Sequence, residues 1–255
     1  MAKTSVAKKN ATELAVMDED MFAADAGVGV TDLGTDDLAI PFLKILQKMC
    51  DEVDDLDNAK AGDIYNTVTQ EVVKGSEGIT VVNCAYTLQH IEWEPRGTGT
   101  GAPYRIYGAG EETPKTERGD DNKDYVVDGN GRYLERTAQH YVLVVDEVGI
   151  TQQALLPMKS TQFKKSKQWN SAMRASKMKD RNGNLFTPPR FSHEWKLETA
   201  SEENKNGSWH GWKIQKGEPI DDPALYAEAK LFAESIRAGQ VKVKHVREGD
   251  DTSSS

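Results

Sequence analysis

Thr137-Ala138-Gln139-His140-Tyr141-Val142-Leu143-Val144-Val145 decides the fold class. Its apolar residues fall on both parities, so the stretch predicts a strand covered on both faces and central in a sheet. Asp146-Glu147-Val148-Gly149 is a hairpin turn, and Ile150 to Leu156 returns as a second strand that Pro157 closes. Ser160 or Thr161 then caps a helix from about Thr161 to Met178. At about 100° per residue, Phe163, Trp169, Ala172 and Met173 lie along one broad side and Lys164, Lys167 and Arg174 on the other. Asp180-Arg181-Asn182-Gly183 breaks the helix. Phe191–Glu198 and Ser208–Gln215 read as two further strands, joined by Ser201 to Gly207.

Upstream, residues 79–94 carry the longest strand signal. Val82, Cys84, Tyr86 and Leu88 share one face, then Ile91 and Trp93 carry the apolar phase on the opposite parity. A phase switch within one strand predicts a β-bulge or sharp bend. Residues 96–132 are Gly-rich and polar and read as a long loop with a small hairpin around Tyr104 to Tyr107. A last helix starts after Asp221-Asp222-Pro223 and ends at Gly239. Before the core, Ala39 to Leu46 is short and apolar, Asp51 to Asp57 reads as a loop, and Ala61 to Val68 as a turn and short strand.

The element order predicts a mainly β protein with helices (α+β). Specifically, it fits an OB-fold-like five-stranded barrel with a helix between strands 3 and 4, an N-terminal extension and a C-terminal helix. A β-sandwich or an α+β sheet would give the same string. The expected organisation is a flexible acidic arm over residues 1–37, one domain over 38–240 and a polar tail over 241–255.

The chain has 255 residues, 32 Lys and Arg against 41 Asp and Glu, and a formal net charge of −9. It contains no run of about 18 apolar residues of the kind that spans a bilayer. The first ten residues are positive without an apolar segment after them, unlike a secretory signal. Two cysteines, Cys50 and Cys84, make no disulfide framework, so the expected location is cytoplasmic. The acidic sum argues against a nucleic-acid partner until it is divided by region. Residues 159–190 hold nine Lys and Arg against the single Asp180, a net +8, while the segments on both sides are acidic. Such asymmetry marks an anionic partner, although a charge run is also what a solvated helix face looks like.

Catalytic signatures are scarce. No P-loop, dinucleotide fingerprint, HExxH or GxSxG string occurs. His90-Ile91-Glu92 copies part of a zinc-deaminase motif without its P-C-x-x-C partner, and both cysteines read as buried small hydrophobes. Glu194-Trp195-Lys196 with Asp180 imitates the carboxylate pair and lysine of metal-dependent nucleases, but an exposed alternating strand face explains it better. The expected catalytic residues, cofactors and metal ligands are therefore none.

Binding a single strand requires cations that track phosphates and flat rings that stack on bases. The helix and its C-terminal flank offer Lys164, Lys165, Lys167, Arg174 and Lys177. The end of the first strand, the long loop and the start of the next strand offer Trp93, Arg96, Tyr104, Arg105, Tyr107, Arg132 and Tyr133. The late hairpin offers Trp209 and Trp212, which point to opposite faces of one strand, so one of them belongs to a core. Trp169 and Phe163 read as core contacts of the helix.

Several strings together resemble single-stranded-DNA-binding proteins of tailed bacteriophages. They are Ile40-Pro41-Phe42-Leu43-Lys44-Ile45-Leu46-Gln47, Ala61-Gly62-Asp63-Ile64-Tyr65-Asn66-Thr67, Trp93-Glu94-Pro95-Arg96, Ser160-Thr161-Gln162-Phe163-Lys164-Lys165, Phe186-Thr187-Pro188-Pro189 and Gly207-Ser208-Trp209-His210-Gly211-Trp212. The resemblance covers about residues 38 to 240. It implies an OB-like core, no enzymatic activity and a role in phage replication, recombination or repair in the host cytoplasm. Its partners would be single-stranded DNA and phage or host replication and recombination proteins, with no membrane and with homo-oligomers allowed. Many replication-linked binders end in an acidic tail with a terminal aromatic; here Glu248, Asp250 and Asp251 are acidic, but Thr252-Ser253-Ser254-Ser255 follow in place of the aromatic. A metal-dependent nuclease and a virion or scaffolding protein are the alternative expectations.

Overall fold

A computed structural model describes residues 23–29, 39–98, 100–205, 207–241, 243 and 245. Contacts divide the chain into two units, Met1–Leu38 and Ala39–Ser255. In the first unit, residues 23–29 form a short helical turn, with the Ala26 N–H donating to the Ala23 carbonyl. The rest of the expected arm lies outside the described residues.

In the second unit the elements are β1 (Leu43–Ile45), α1 (Asp51–Asp55), β2 (Ile64–Asn66), β3 (Val72–Val73), β4 (Ile79–Trp93), β5 (Arg105–Tyr107), β6 (Thr116–Arg118) and β7 (Asp124–Val126). They continue as β8 (Tyr133–Val145), β9 (Thr151–Lys159), α2 (Phe163–Ala175), β10 (Met178–Lys179), β11 (Leu185–Phe186), β12 (His193–Asn204), β13 (Gly207–Pro219) and α3 (Pro223–Arg237). Among the described residues the protein is mainly β, with three α-helices in this unit. A large antiparallel sheet runs β13-β12-β4-β8-β7-β6, with β5 paired to β4 and β9 paired to β8. β1, β2 and β3 form a second small sheet, and β10 and β11 a ribbon.

The phase switch in β4 has a definite place. The register against β8 shifts between Asn83 and Ala85. Residues directly opposite one another share a face, and β8 alternates regularly. Val82, Ala85, Ile91 and Trp93 therefore lie with Leu143, Tyr141, Glu135 and Tyr133 on one face. Tyr86 and Leu88, expected beside Val82 and Cys84, lie instead with His140 and Ala138 on the other, because the extra residue at Cys84 inverts the parity after it.

Each face has its own core. On the face of Ala138 and Val142, the buried cluster gathers Val81, Leu156, Met158, Trp169, Trp195, Leu197 and Trp212 with Leu43, Ile45 and Ile64 of the small sheet. On the opposite face, Leu225, Ala229 and Phe232 of α3 cover Val82, Cys84, Tyr141, Leu143 and Leu155. Asp222 caps α3, its carboxylate accepting from the Ala224 N–H with Pro223 following at the first turn.

The expected five-stranded barrel is not closed by strand pairing among the described residues, since β9 and β13 do not pair with each other. β1 sits at the open side instead. Phe42 bridges Leu155 in parallel, and the Gln47 side chain pairs with the backbone of His210 in β13. Further expectations change. Asp51–Asp55 is a short helix rather than loop, its acids lying at the positive end of the helix dipole. Residues 96–132 are built as β5, which extends the sheet beside β4, and a β6–β7 hairpin docked on β8. The basic helix ends at Ala175, and Asp180 to Gly183 is the turn of the β10–β11 ribbon. Neither Ser160 nor Thr161 caps that helix. The residue before it is Gln162, whose side-chain oxygen accepts from the Trp212 N–H instead. Within the expected tail, Val241 and Val243 pack on the α3 core and His245 meets Phe42 edge-on at 5.9 Å. The remainder of the tail lies outside the described residues.

Candidate nucleic-acid interface

Helix α2 turns Ser166 and Trp169 into the protein and half-buries Asn170 and Met173. Lys164, Lys167 and Arg174 are exposed within an arc of about 80° on the opposite side. Phe163 borders this stripe. The Lys167 ammonium lies 5.1 Å and the Arg136 guanidinium 4.4 Å from its ring centroid. Arg136 projects from β8 opposite His90 of β4, and His90 is in turn opposite Tyr107 of β5. The next row is Leu134, Glu92 and Arg105. Lysines of the helix and arginines of the sheet therefore share one face. Burial and the Arg136 charge hold His90 below its ordinary pKa. Arg136 and Phe163 were not among the expected site residues. The charged pair Glu135-Arg136, directly before the run that starts at Thr137, was the available signal for Arg136.

The arginine end is organised by one buried carboxylate. Glu92 accepts from Arg132 Nε at 2.7 Å and from the Tyr107 hydroxyl at 2.7 Å. Burial and this carboxylate raise the Tyr107 phenol above its ordinary pKa. The Arg132 guanidinium then stacks 3.9 Å from the centroid of Tyr104, whose side chain is 53% exposed. Arg105 lies 4.5 Å from the Tyr107 ring centroid and 3.7 Å from Glu111. Arg132 and Tyr104 thus form a planar, cationic, partly exposed pair.

The remaining expected residues divide clearly. Arg96 is exposed in the turn after β4, and Lys177 donates to the Thr187 hydroxyl at the foot of the ribbon. Lys165 points away from the stripe and pairs with Glu202 at 2.6 Å. Trp93, Tyr107, Tyr133 and Trp212 are buried and offer no stacking face. Trp93 and Tyr133 form a small core with Ile91 and Tyr125, and Trp212 belongs to the core of the Ala138 face. Of the five tryptophans, only Trp209 is half-buried rather than buried.

Two clusters bear on catalysis. Arg190 donates to Asn83 Oδ1 at 3.3 Å, which turns the Asn83 amide N–H toward His140 Nδ1 at 2.9 Å. His140 then carries its proton on Nε2 and donates to Ser166 Oγ at 2.8 Å. A serine nucleophile needs the reverse, a ring nitrogen that accepts its proton, and Ser166 is fully covered. The row ties α2 to the sheet, with Trp169 stacked on His140 at 4.7 Å. In the second cluster, the Asp180 carboxylate accepts from the Asn182 and Asn184 N–H groups and the Asn184 amide, so it anchors its own turn. Among the described residues, no three His, Cys, Asp or Glu side chains come together as a metal set. Burial pushes the Cys84 thiol up to about 12, which leaves it un-ionised at neutral pH.

Residues 7–242 match the family described as Pam3 phage gp34-like protein. The chain belongs to this family. It is a bacteriophage family, and its description specifies no activity. Neither a curated protein nor a solved structure matches the gp34-like chain. Among its described residues no helix is long and apolar enough to cross a membrane.

Proposed function

We propose that this gp34-like protein binds single-stranded DNA with little sequence preference and takes part in phage replication, recombination or repair in the host cytoplasm. The observation that carries the reading is the cationic face. In a chain of net charge −9, Lys164, Lys167 and Arg174 line one side of α2, and Arg136 and Arg105 continue the same face across β8 and β5. Phosphates would follow the cations, and bases would meet Tyr104 and the half-buried edge of Phe163.

The strand order supports the same reading. Numbering β4, β8, β9, β12 and β13 as strands one to five, the sheet runs 5-4-1-2-3, with α2 between the third and fourth. This is the order of an OB-fold, in which β1 and the Gln47 side chain would stand where strands three and five ordinarily meet.

A salt-titrated binding assay with single-stranded DNA, duplex DNA and RNA tests the proposal. Tight, salt-sensitive and sequence-tolerant binding to the single-stranded DNA is expected. Absence of oligonucleotide binding at low salt would overturn it. Mg²⁺-dependent cleavage would point to a nuclease, and copurification with particles without an oligonucleotide shift to a structural role.

A further inference from the structure

We propose that a cleft between the 47–49 turn, the Ser160–Gln162 turn and the β12–β13 ribbon is a nucleobase pocket, in which one unstacked base of a bound strand rests on the indole of Trp209. The inference deepens the single-strand reading and rests on it. The cleft has a volume of about 360 Å³, at the small end of ligand sites, which suits one base and its sugar.

Trp209 is the feature that sets this cleft apart. The other four tryptophans are 2–4% exposed and committed to cores, while Trp209 is half-buried and lines the cleft. Its orientation is held from behind. Indole Nε1 donates to Glu202 Oε2 at 3.0 Å, and Glu202 is paired to Lys165 at 2.6 Å. Among the described residues no aromatic ring or cation is stacked on it. A fixed, partly exposed indole is a platform that every base can use.

The walls are equally preset. Gln47 and Gln162 line the cleft, yet their amides are bound to the backbones of His210 and Trp212 and do not have to be ordered when a ligand arrives. Thr161, Ser201, Ser208 and His210 complete the polar lining, with Ser201, Ser208 and His210 on the ribbon face opposite Trp209. A hydroxyl rotates to donate or to accept, so it serves the edge of any of the four bases and confers little sequence preference. Lys48 is exposed at the rim, where a cation would meet the phosphate of the same nucleotide. Met49, 93% exposed, places a thioether beside the opening, a group suited to packing on a flat ring. A planar, polar-edged ligand attached to an anion suits the indole, the thioether and the cation together.

The pocket is separate from the cationic stripe. Lys165 leaves α2 about 160° away from Lys167, so the indole is held on a flank of the helix turned away from Lys167 and Arg174.

The test uses the full chain, an end-labelled oligo-dT and two readouts. Anisotropy of the label reports binding, and intrinsic tryptophan emission reports the cleft. The wild type should bind and be quenched. Trp209→Phe should lose the quench, and Trp209→Ala should in addition weaken binding roughly tenfold. Thr161→Tyr, a bulky group at an exposed lining position that leaves Trp209 in place, should do the same. Binding with an unchanged quench in Thr161→Tyr, or a quench that survives Trp209→Phe, would overturn the pocket and leave the single-strand reading intact. No anisotropy change in the wild type would overturn both.

Discussion

The side-chain amide of Gln47 holds the backbone of His210 at two points, Nε2 donating to the carbonyl at 3.0 Å and Oε1 accepting from the N–H at 2.9 Å. The two residues are 163 positions apart, and the pair does the work of a missing neighbouring strand. An edge strand exposes a row of unpaired backbone groups, and side chains that occupy them keep the edge from pairing elsewhere. Gln162 repeats the device two residues further along β13, accepting from the Trp212 N–H at 3.0 Å.

Gln47→Ala should therefore destabilise the protein by about 1–3 kcal/mol, the usual consequence of stranding polar groups. Amide exchange at His210 should accelerate at the same time. Denaturant midpoints and exchange rates check this, and unchanged values for both would refute the strand-substitute role.

The glycines around this edge should differ sharply in tolerance. A Cβ at Gly211 would meet the Gln162 amide at 2.8 Å and the Glu202 carboxyl at 2.9 Å, both ends of movable side chains. A Cβ at Gly75 would lie 2.0 Å from the Gly62 carbonyl oxygen, which is backbone. Gly211→Ala should cost about 1 kcal/mol and Gly75→Ala several times more. Soluble yield and thermal midpoints rank them, and equal tolerance would contradict the packing described.

Acid should weaken the fold through His140. Burial, and secondarily the Arg190 charge, lower its pKa from 6.5 to about 3. Between those values the unfolded chain takes up a proton that the folded chain refuses, so stability falls as pH drops through this window. The slope from this residue approaches about 1.4 kcal/mol per pH unit. His140→Gln should remove that part of the slope whatever its effect on stability at neutral pH. Urea titrations of both proteins from pH 7 to pH 4 give the difference, and parallel curves would refute the assignment.

On the proposed DNA face, Lys164→Gln with Lys167→Gln should weaken oligo-dT binding for every sequence. The slope of log affinity against log salt should fall by about 1.4, as expected for two lost phosphate contacts on a single strand. Lys165→Gln, by comparison, should leave the slope nearly unchanged, because its charge is already spent on Glu202. A folded double mutant with the wild-type slope would remove this helix from the interface.

The elements were legible where the signal is local. The two-faced apolar run of β8, the turn before β9, the amphipathic pattern of α2 and the Asp-Asp-Pro start of α3 each depend on residues within a few positions of one another. The regional charge of residues 159–190 was legible in the same way, and α2 does place three of those cations on one exposed side. Other features required the tertiary structure, because periodicity says which residues share a face and not what covers that face. The bulge at Cys84 decided that Tyr86 and Leu88 leave the side of Val82. Docking of β5 on β4 and of β7 on β8 set Tyr107, Trp93 and Tyr133 among buried neighbours. Glu92 and Arg132 meet across 40 positions, and Arg136 joins the lysine stripe only through Phe163.

The sequence by itself determined a β-rich core of five long strands with one helix before the fourth, and a cationic segment within an acidic chain. Which tryptophan remains accessible, which arginines join the lysines and how the open side of the sheet is sealed were decided only in three dimensions. Those outcomes depend on pairings between residues far apart in the chain, such as Gln47 and His210, and no local pattern encodes such a pairing.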